Sequence, residues 1–264
     1  MRRTYSNLCY YIVAHQDDWQ LFYGQQAFSD LIEPGARVVF IYTTAGDAGG
    51  SEDWWRAREQ GALAAQSLTH GPPQPDSMNI NGHAIALYDA GSFVSYHLRL
   101  PDGNVDGSGF ARTGHVSLKK LQAGDISEIA AIDGTATYTT WDDFCATLAE
   151  IIDREGAHAN VWVNAADWSW RCSPDDHWDH KLTADAVREI AGNRFNRLWF
   201  VTYSTKDLAS NLTGEELERK HRVWLAYKQH VEAADNTAFL EWEWRSWGAK
   251  NYFRRVLAGE GDFG

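Results

Sequence analysis

Leu8-Cys9-Tyr10-Tyr11-Ile12-Val13-Ala14-His15-Gln16-Asp17-Asp18 is an unbroken apolar run that ends abruptly in four polar residues. A run with no polar alternation reads as a strand covered on both faces, the pattern of a parallel sheet flanked by helices. The polar cluster then falls where the chain leaves the strand's carboxyl end, which is where open α/β sheets hold their ligands. Similar buried-type runs recur at 37–43, 160–164 and 198–203, and the second of them opens into the Gly-rich loop Ala45-Gly46-Asp47-Ala48-Gly49-Gly50. Helical patterns fill the intervals at 18–31, 54–68, 141–154 and 182–190. A long C-terminal helix at 213–233 begins with a capping box formed by Thr213 and Glu216.

Strands alternating with helices predict an α/β fold: a doubly wound, mostly parallel, Rossmann-like sheet with helices on both faces and right-handed crossovers. Residues 77–100 break that rhythm with apolar–polar alternation, and 126–138 reads as a short hairpin. Approximately 77–138 is therefore expected to form an inserted antiparallel and loop subdomain or lid, within a single domain spanning 1–264.

Composition narrows the partners. With 24 Lys+Arg against 36 Asp+Glu the formal net charge is −12, and the basic residues are scattered. A nucleic-acid partner is not expected, because holding a phosphate backbone requires a basic field. Cys9, Cys145 and Cys172 are odd in number and lack C-x-x-C spacing. Unpaired thiols suit a reducing, cytoplasmic setting. The opening Met1-Arg2-Arg3-Thr4-Tyr5-Ser6-Asn7 leads into a short apolar run without a cleavage pattern, so no signal peptide is read, and no membrane-spanning segment either. The 13 Trp are the unusual feature. Indole supplies flat apolar area with one N–H donor, equally suited to a core and to a sugar-stacking wall.

Two clusters carry chemistry. One is Ala14-His15-Gln16-Asp17-Asp18; the other is Asp175-Asp176-His177-Trp178-Asp179-His180, ahead of the helix at 182–190. Imidazole and carboxylate suit Zn²⁺, and an open catalytic site takes three protein ligands plus water. His15, Asp18 and His180 can supply those three. The His177-x-x-His180 spacing is expected to set both rings on one side of a helical turn. Asp17 is then free to act as a base, and Asp179 to steady a ligand histidine from behind. The Gly46–Gly50 loop is no phosphate cradle, lacking both G-x-G-x-x-G and a P-loop Lys. Histidines at 70, 83, 97, 115, 221 and 230 have no partner at a ligand spacing and read as surface or internally satisfied residues.

Together these motifs resemble the PIG-L/LmbE-like zinc de-N-acetylase superfamily, whose members carry Ala-His-Pro-Asp-Asp and His-x-Asp-His. Gln16 stands where the first motif has proline, and Trp178 where proline is common in the second; neither change removes a ligand or the base. The resemblance also touches Thr43-Thr44-Ala45-Gly46 and a C-terminal helix bearing Lys220 and Tyr227. It implies that His15, Asp18 and His180 bind zinc, that Asp17 takes a proton from the attacking water and returns it to the leaving amine, and that His177 helps stabilise the oxyanion. An N-acetylated amino sugar or glycoconjugate would lose acetate.

The resemblance further implies an arginine near the second helix that holds sugar hydroxyls. Arg58 is the candidate and Arg56 the alternative, both also compatible with a solvent-facing helix pair. Asp102 in a Pro-Asp-Gly turn and the indoles of Trp54, Trp55, Trp170 and Trp178 are further substrate-binding candidates. Two other readings stay open: the same machinery hydrolysing a longer N-acyl or thiol-conjugate amide, and a carbohydrate-binding protein with a vestigial metal site.

Overall fold

The computed structural model describes residues 5–155, 160–234 and 238–262; the first four residues of the basic opening lie outside them. Among the described residues the strands are β1 (Asn7–Val13), β2 (Ala36–Thr44), β3 (Gln74–Ile80), β4 (His83–Asp89), β5 (Phe93–Leu100), β6 (Ile129–Ala130), β7 (Thr137–Tyr138), β8 (Val161–Ala166), β9 (Asn196–Phe200) and β10 (Phe253–Val256). The helices are α1 (Gly24–Ile32), α2 (Glu52–His70), α3 (Leu118–Ala123), α4 (Trp141–Glu155), α5 (Trp178–Ala191), α6 (Gly214–Glu232) and α7 (Ala238–Trp247).

Eight strands make one sheet in the order β10-β9-β8-β1-β2-β5-β4-β3, and β6 pairs with β7 apart from it. The five central strands β9, β8, β1, β2 and β5 are mutually parallel. The edges β10, β4 and β3 run antiparallel to their neighbours. The sheet is thus doubly wound and mostly parallel. From β1 the chain winds one way through β2 to β5 and later the other way through β8 to β9, so a crevice opens between the carboxyl ends of β1 and β8.

Side chains alternate along each strand and build two cores. Leu8, Tyr10 and Ile12 of β1 join Val39 and Ile41 of β2 under α3, α4 and α5. Cys9, Tyr11 and Val13 join Val38, Phe40 and Tyr42 under α1, α2, α6 and α7. Both faces are apolar because both are covered, which is why β1 carries no polar residue after Asn7.

The structure redraws several local expectations. The helix read from residue 18 opens as a π-helical turn over Trp19–Tyr23 before α1; such turns favour functional sites. α2 starts earlier than its periodicity suggests, because the Ser51 side chain accepts from the Trp54 amide and caps it. The capping box at Thr213 is not made: Thr213 is the N-cap, but its side chain accepts no amide. β3, β4 and β5 lengthen the central sheet, β5 pairing parallel with β2. α7 and β10, unforeseen, follow α6. The three cysteines are unpaired, and no helix among the described residues is long and apolar enough to cross a membrane.

Candidate active site

The loops after β1, β2, β5 and β8 converge at the crevice. His15, Asp17 and Asp18 follow β1, Asp47 follows β2, Asp102 follows β5, and Asp176, His177, Asp179 and His180 follow β8; all are buried. Glycine is required twice where these loops touch. A Cβ on Gly46, whose φ is +56°, would sit 2.6 Å from Gln16 Oε1 and 2.8 Å from Arg58 Nη1. One on Gly103 would meet Asp179 Oδ1 at 2.5 Å. The loop carrying Asp102 leaves β5 through Arg99 at φ 55°, where the pairing with β2 shifts register. That strained conformation is held by Arg99 ion pairs to Glu59 and Asp133, both at 2.6 Å.

Gln16, between two site residues, braces the loop after β1. Its Nε2 donates to the Thr44 carbonyl at 2.9 Å, tying the first loop to the end of β2.

Three donor atoms face one another: His15 Nδ1 and Asp18 Oδ1 at 3.6 Å, His180 Nε2 and Asp18 Oδ1 at 3.0 Å, and His180 Nε2 and His15 Nδ1 at 3.2 Å. Ligand bonds of about 2.0–2.1 Å around a tetrahedral cation separate donors by ~3.3 Å, so this triad has the dimensions of a metal site. The supports fit as well. Asp18 Oδ2 accepts the His15 amide at 2.8 Å. His180 Nδ1 bonds Asp176 Oδ1 at 2.7 Å, and Asp176 also accepts from the Thr202 hydroxyl. His15 Nε2 faces Asp179 Oδ2 at 3.3 Å. Each imidazole thus has a carboxylate behind it.

Electrostatics favour a cation in the same place. Burial disfavours charging the His15 and His180 rings, yet Asp18 beside them, helped at His180 by Asp176, raises both, His180 to about 9. Burial likewise opposes ionisation of Asp18, but the two imidazoles hold its carboxyl well below the ordinary range. The cluster calls for positive charge, which a dication between neutral imidazoles supplies.

A second grouping, His15, Asp102, His177 and Asp179, uses the opposite nitrogen of His15. Asp102 lies 3.6 Å from both His15 Nε2 and His177 Nε2. His177 is not on a helical turn with His180: it is the extended N-cap of α5, and its Nδ1 accepts the Asp179 amide at 3.1 Å. Burial and the neighbouring His15 lower it to about 4. The neutral ring therefore carries its proton on Nε2.

Asp17 and Arg58 form a buried ion pair, Arg58 Nη2 donating to Asp17 Oδ1 at 2.5 Å. Arg58 Nη1 donates to the Gly46 carbonyl at 2.5 Å and Nε to the Tyr227 hydroxyl at 3.0 Å. Arg56, the alternative, is exposed and pairs with Glu52 at 2.7 Å along the helix.

A cavity of about 470 Å³ lies over these groups, lined on its polar side by His15, Asp17, Asp18, Arg58, Asp102 and His177. Leu21, Phe22, Trp54, Phe110, Phe239 and Trp247 make an apolar wall. Of the four candidate tryptophans only Trp54 lines it. Trp55 is buried under Arg56 and Arg99. Trp170 and Trp178 pack edge-to-face at 5.1 Å beneath Lys181 and Lys119. Sequence reasoning assigned no role to Asp176, although its i,i+4 spacing to His180 was a usable signal. Glu243, Phe239 and Trp247 lie in a Trp-rich segment with no motif to mark them.

No protein-family model matches the sequence, and no curated protein does. Solved structures do. A deacetylase of teicoplanin biosynthesis, crystallised as a deacetylase–bog complex, is 14% identical with 89% of each chain covered and a TM-score of 0.50. The zinc-inhibited form of teicoplanin deacetylase Orf2 is 14% identical over 89% of this chain and 90% of that one, with a TM-score of 0.48. The A40926 pseudoaglycone deacetylase Dbv21 is 13% identical over 98% and 100%, with a TM-score of 0.47. At 14% identity the first is a likeness of fold.

Proposed function

We propose that this chain is a metal-dependent amidohydrolase of the LmbE-like kind that removes the N-acetyl group from an N-acetylglucosamine-type sugar or glycoconjugate. The observation that carries the reading is one cavity in which a carboxylate held by Arg58 stands beside a His–Asp–His donor triad. Mere sugar binding has no use for that base.

His15, Asp18 and His180 are the residues that would hold the metal, with zinc the fitting ion for this donor set. When bound, it supplies Lewis acidity to the amide carbonyl and to water. The chain's own groups do the rest. Arg58 occupies Asp17 Oδ1, which leaves Oδ2 to accept a proton from the attacking water and return it to the leaving nitrogen. The Nε2–H of His177 donates to the oxygen that becomes anionic. Asp102 faces both His15 and His177 and is placed to hold a substrate hydroxyl.

A longer N-acyl chain is the second reading, favoured by one observation. The three nitrogens of Arg58 are engaged by Asp17, Gly46 and Tyr227, while much of the cavity lining is aromatic and aliphatic. Amine release from N-acetyl- and N-octanoylglucosamine by zinc-loaded protein, with Asp17→Asn in parallel, tests both. Release that vanishes in Asp17→Asn is expected; equal release by both proteins, or none from any substrate, overturns the hydrolase reading.

A further inference from the structure

Glu243 lies on α7 with Phe239 and Trp247 one helical turn to either side, so all three share a face, and all three line the cavity. No hydrogen bond or ion pair engages it among the described residues, and its Oε2 is enclosed without a partner. An unmet buried acceptor is costly in a folded chain, and here it stands between two aromatic rings where an apolar residue would pack without that cost. The helix holding it is firmly anchored. Lys220 Nζ donates to the Trp247 carbonyl at 3.3 Å and the Lys250 carbonyl at 2.5 Å, and the Trp247 indole donates to the Tyr203 carbonyl at 3.2 Å.

We propose that Glu243 is a specificity-determining residue of this cavity, hydrogen-bonding a hydroxyl of a sugar ring that packs on the flanking aromatic side chains. The inference rests on the deacetylase reading and selects within it: a polyhydroxylated ring, in preference to a bare acyl chain or a thiol conjugate. Burial and the charge of Asp17 push the Glu243 carboxyl well above its ordinary range against the pull of Arg58. A carboxyl oxygen accepts from a hydroxyl, the pairing that the enclosed, unpartnered Oε2 lacks.

The test is a cycle of kcat and KM for N-acetylglucosamine and its 3-, 4- and 6-deoxy analogues, on zinc-loaded wild type, Glu243→Gln and Glu243→Ala. Wild type should lose about 10- to 100-fold in kcat/KM, mostly through KM, on one deoxy analogue. In Glu243→Ala that discrimination should fall below about 3-fold, with Glu243→Gln in between, and metal content unchanged. Undiminished discrimination in Glu243→Ala overturns the inference and leaves the deacetylase reading standing. If wild type releases no amine, calorimetric binding of the same sugars reads the cycle without turnover. A deoxy penalty that disappears in Glu243→Ala then supports Glu243 while the deacetylase reading fails; absence of binding overturns both.

Discussion

Arg58 on α2 and Asp17 in the loop after β1 form a buried pair, the guanidinium donating to one carboxylate oxygen at 2.5 Å in a cavity that both residues line. The arginine expected to hold substrate thus also pairs with the carboxylate expected to act as the base. Arg58→Gln leaves Asp17 without its partner, a change that costs about 3–5 kcal/mol in a buried pair. Urea unfolding should show that loss. Arg58→Lys should keep the charge but lose the fork, lowering kcat by ~10²-fold with a smaller change in KM.

Asp17→Asn removes the proton acceptor without removing a metal donor. Amine release should fall by about 10²- to 10⁴-fold, while bound zinc measured by mass spectrometry stays at the wild-type stoichiometry. Loss of zinc along with activity would place Asp17 among the ligands instead.

Asp176 supports His180 and is itself held by Thr202. Asp176→Asn should weaken zinc binding by ~10- to 100-fold, read by competition with a chromophoric chelator. Gly103→Ala is expected to act alike from the other side, since its Cβ would displace Asp179 from beside His15. Wild-type affinity in both variants would show that these carboxylates do not tune the site.

Zinc binding should also stabilise the fold, because it would join the loop after β1 to the start of α5 after β8. At a free concentration 100 times Kd the gain is about 2.7 kcal/mol, visible as a rise in Tm that a chelator reverses and that His180→Ala abolishes.

His97 provides a pH signature away from the metal donors. It is buried, stacked on Tyr42 at 4.7 Å, edge-on to Tyr88, and faced by Glu59 and Arg99, and neither ring nitrogen has a hydrogen-bond partner. Burial, with Arg99 adding to it against Glu59, lowers the ring from 6.5 to about 4. Between those values the unfolded chain binds a proton that the folded chain refuses, so stability falls as pH drops from about 6.5 to about 4, by roughly 3 kcal/mol. His97→Phe keeps the stacking and should remove that share of the slope; an unchanged slope would assign it to other groups.

The strands at β1, β2, β8 and β9 and most helices were legible because their cause is local. Burial on both faces removes polar alternation, and helical spacing marks which side meets the sheet. The two polar clusters stood out because they interrupt such runs at strand ends. Boundaries set by single contacts were less visible, such as the Ser51 cap of α2 and the π-helical turn after Asp18.

By itself the sequence determined a doubly wound α/β architecture and which two loops could carry His–Asp chemistry, since both follow from hydrophobic periodicity and residue type. Only the tertiary structure decided who meets whom there. Arg58 reaches Asp17, Asp176 backs His180, Asp102 comes within 3.6 Å of His15 and His177, and Glu243 closes the wall from a late helix. It also decided which tryptophans line the cavity. An indole is equally at home in a core and on a binding wall, so its place depends on how distant segments pack.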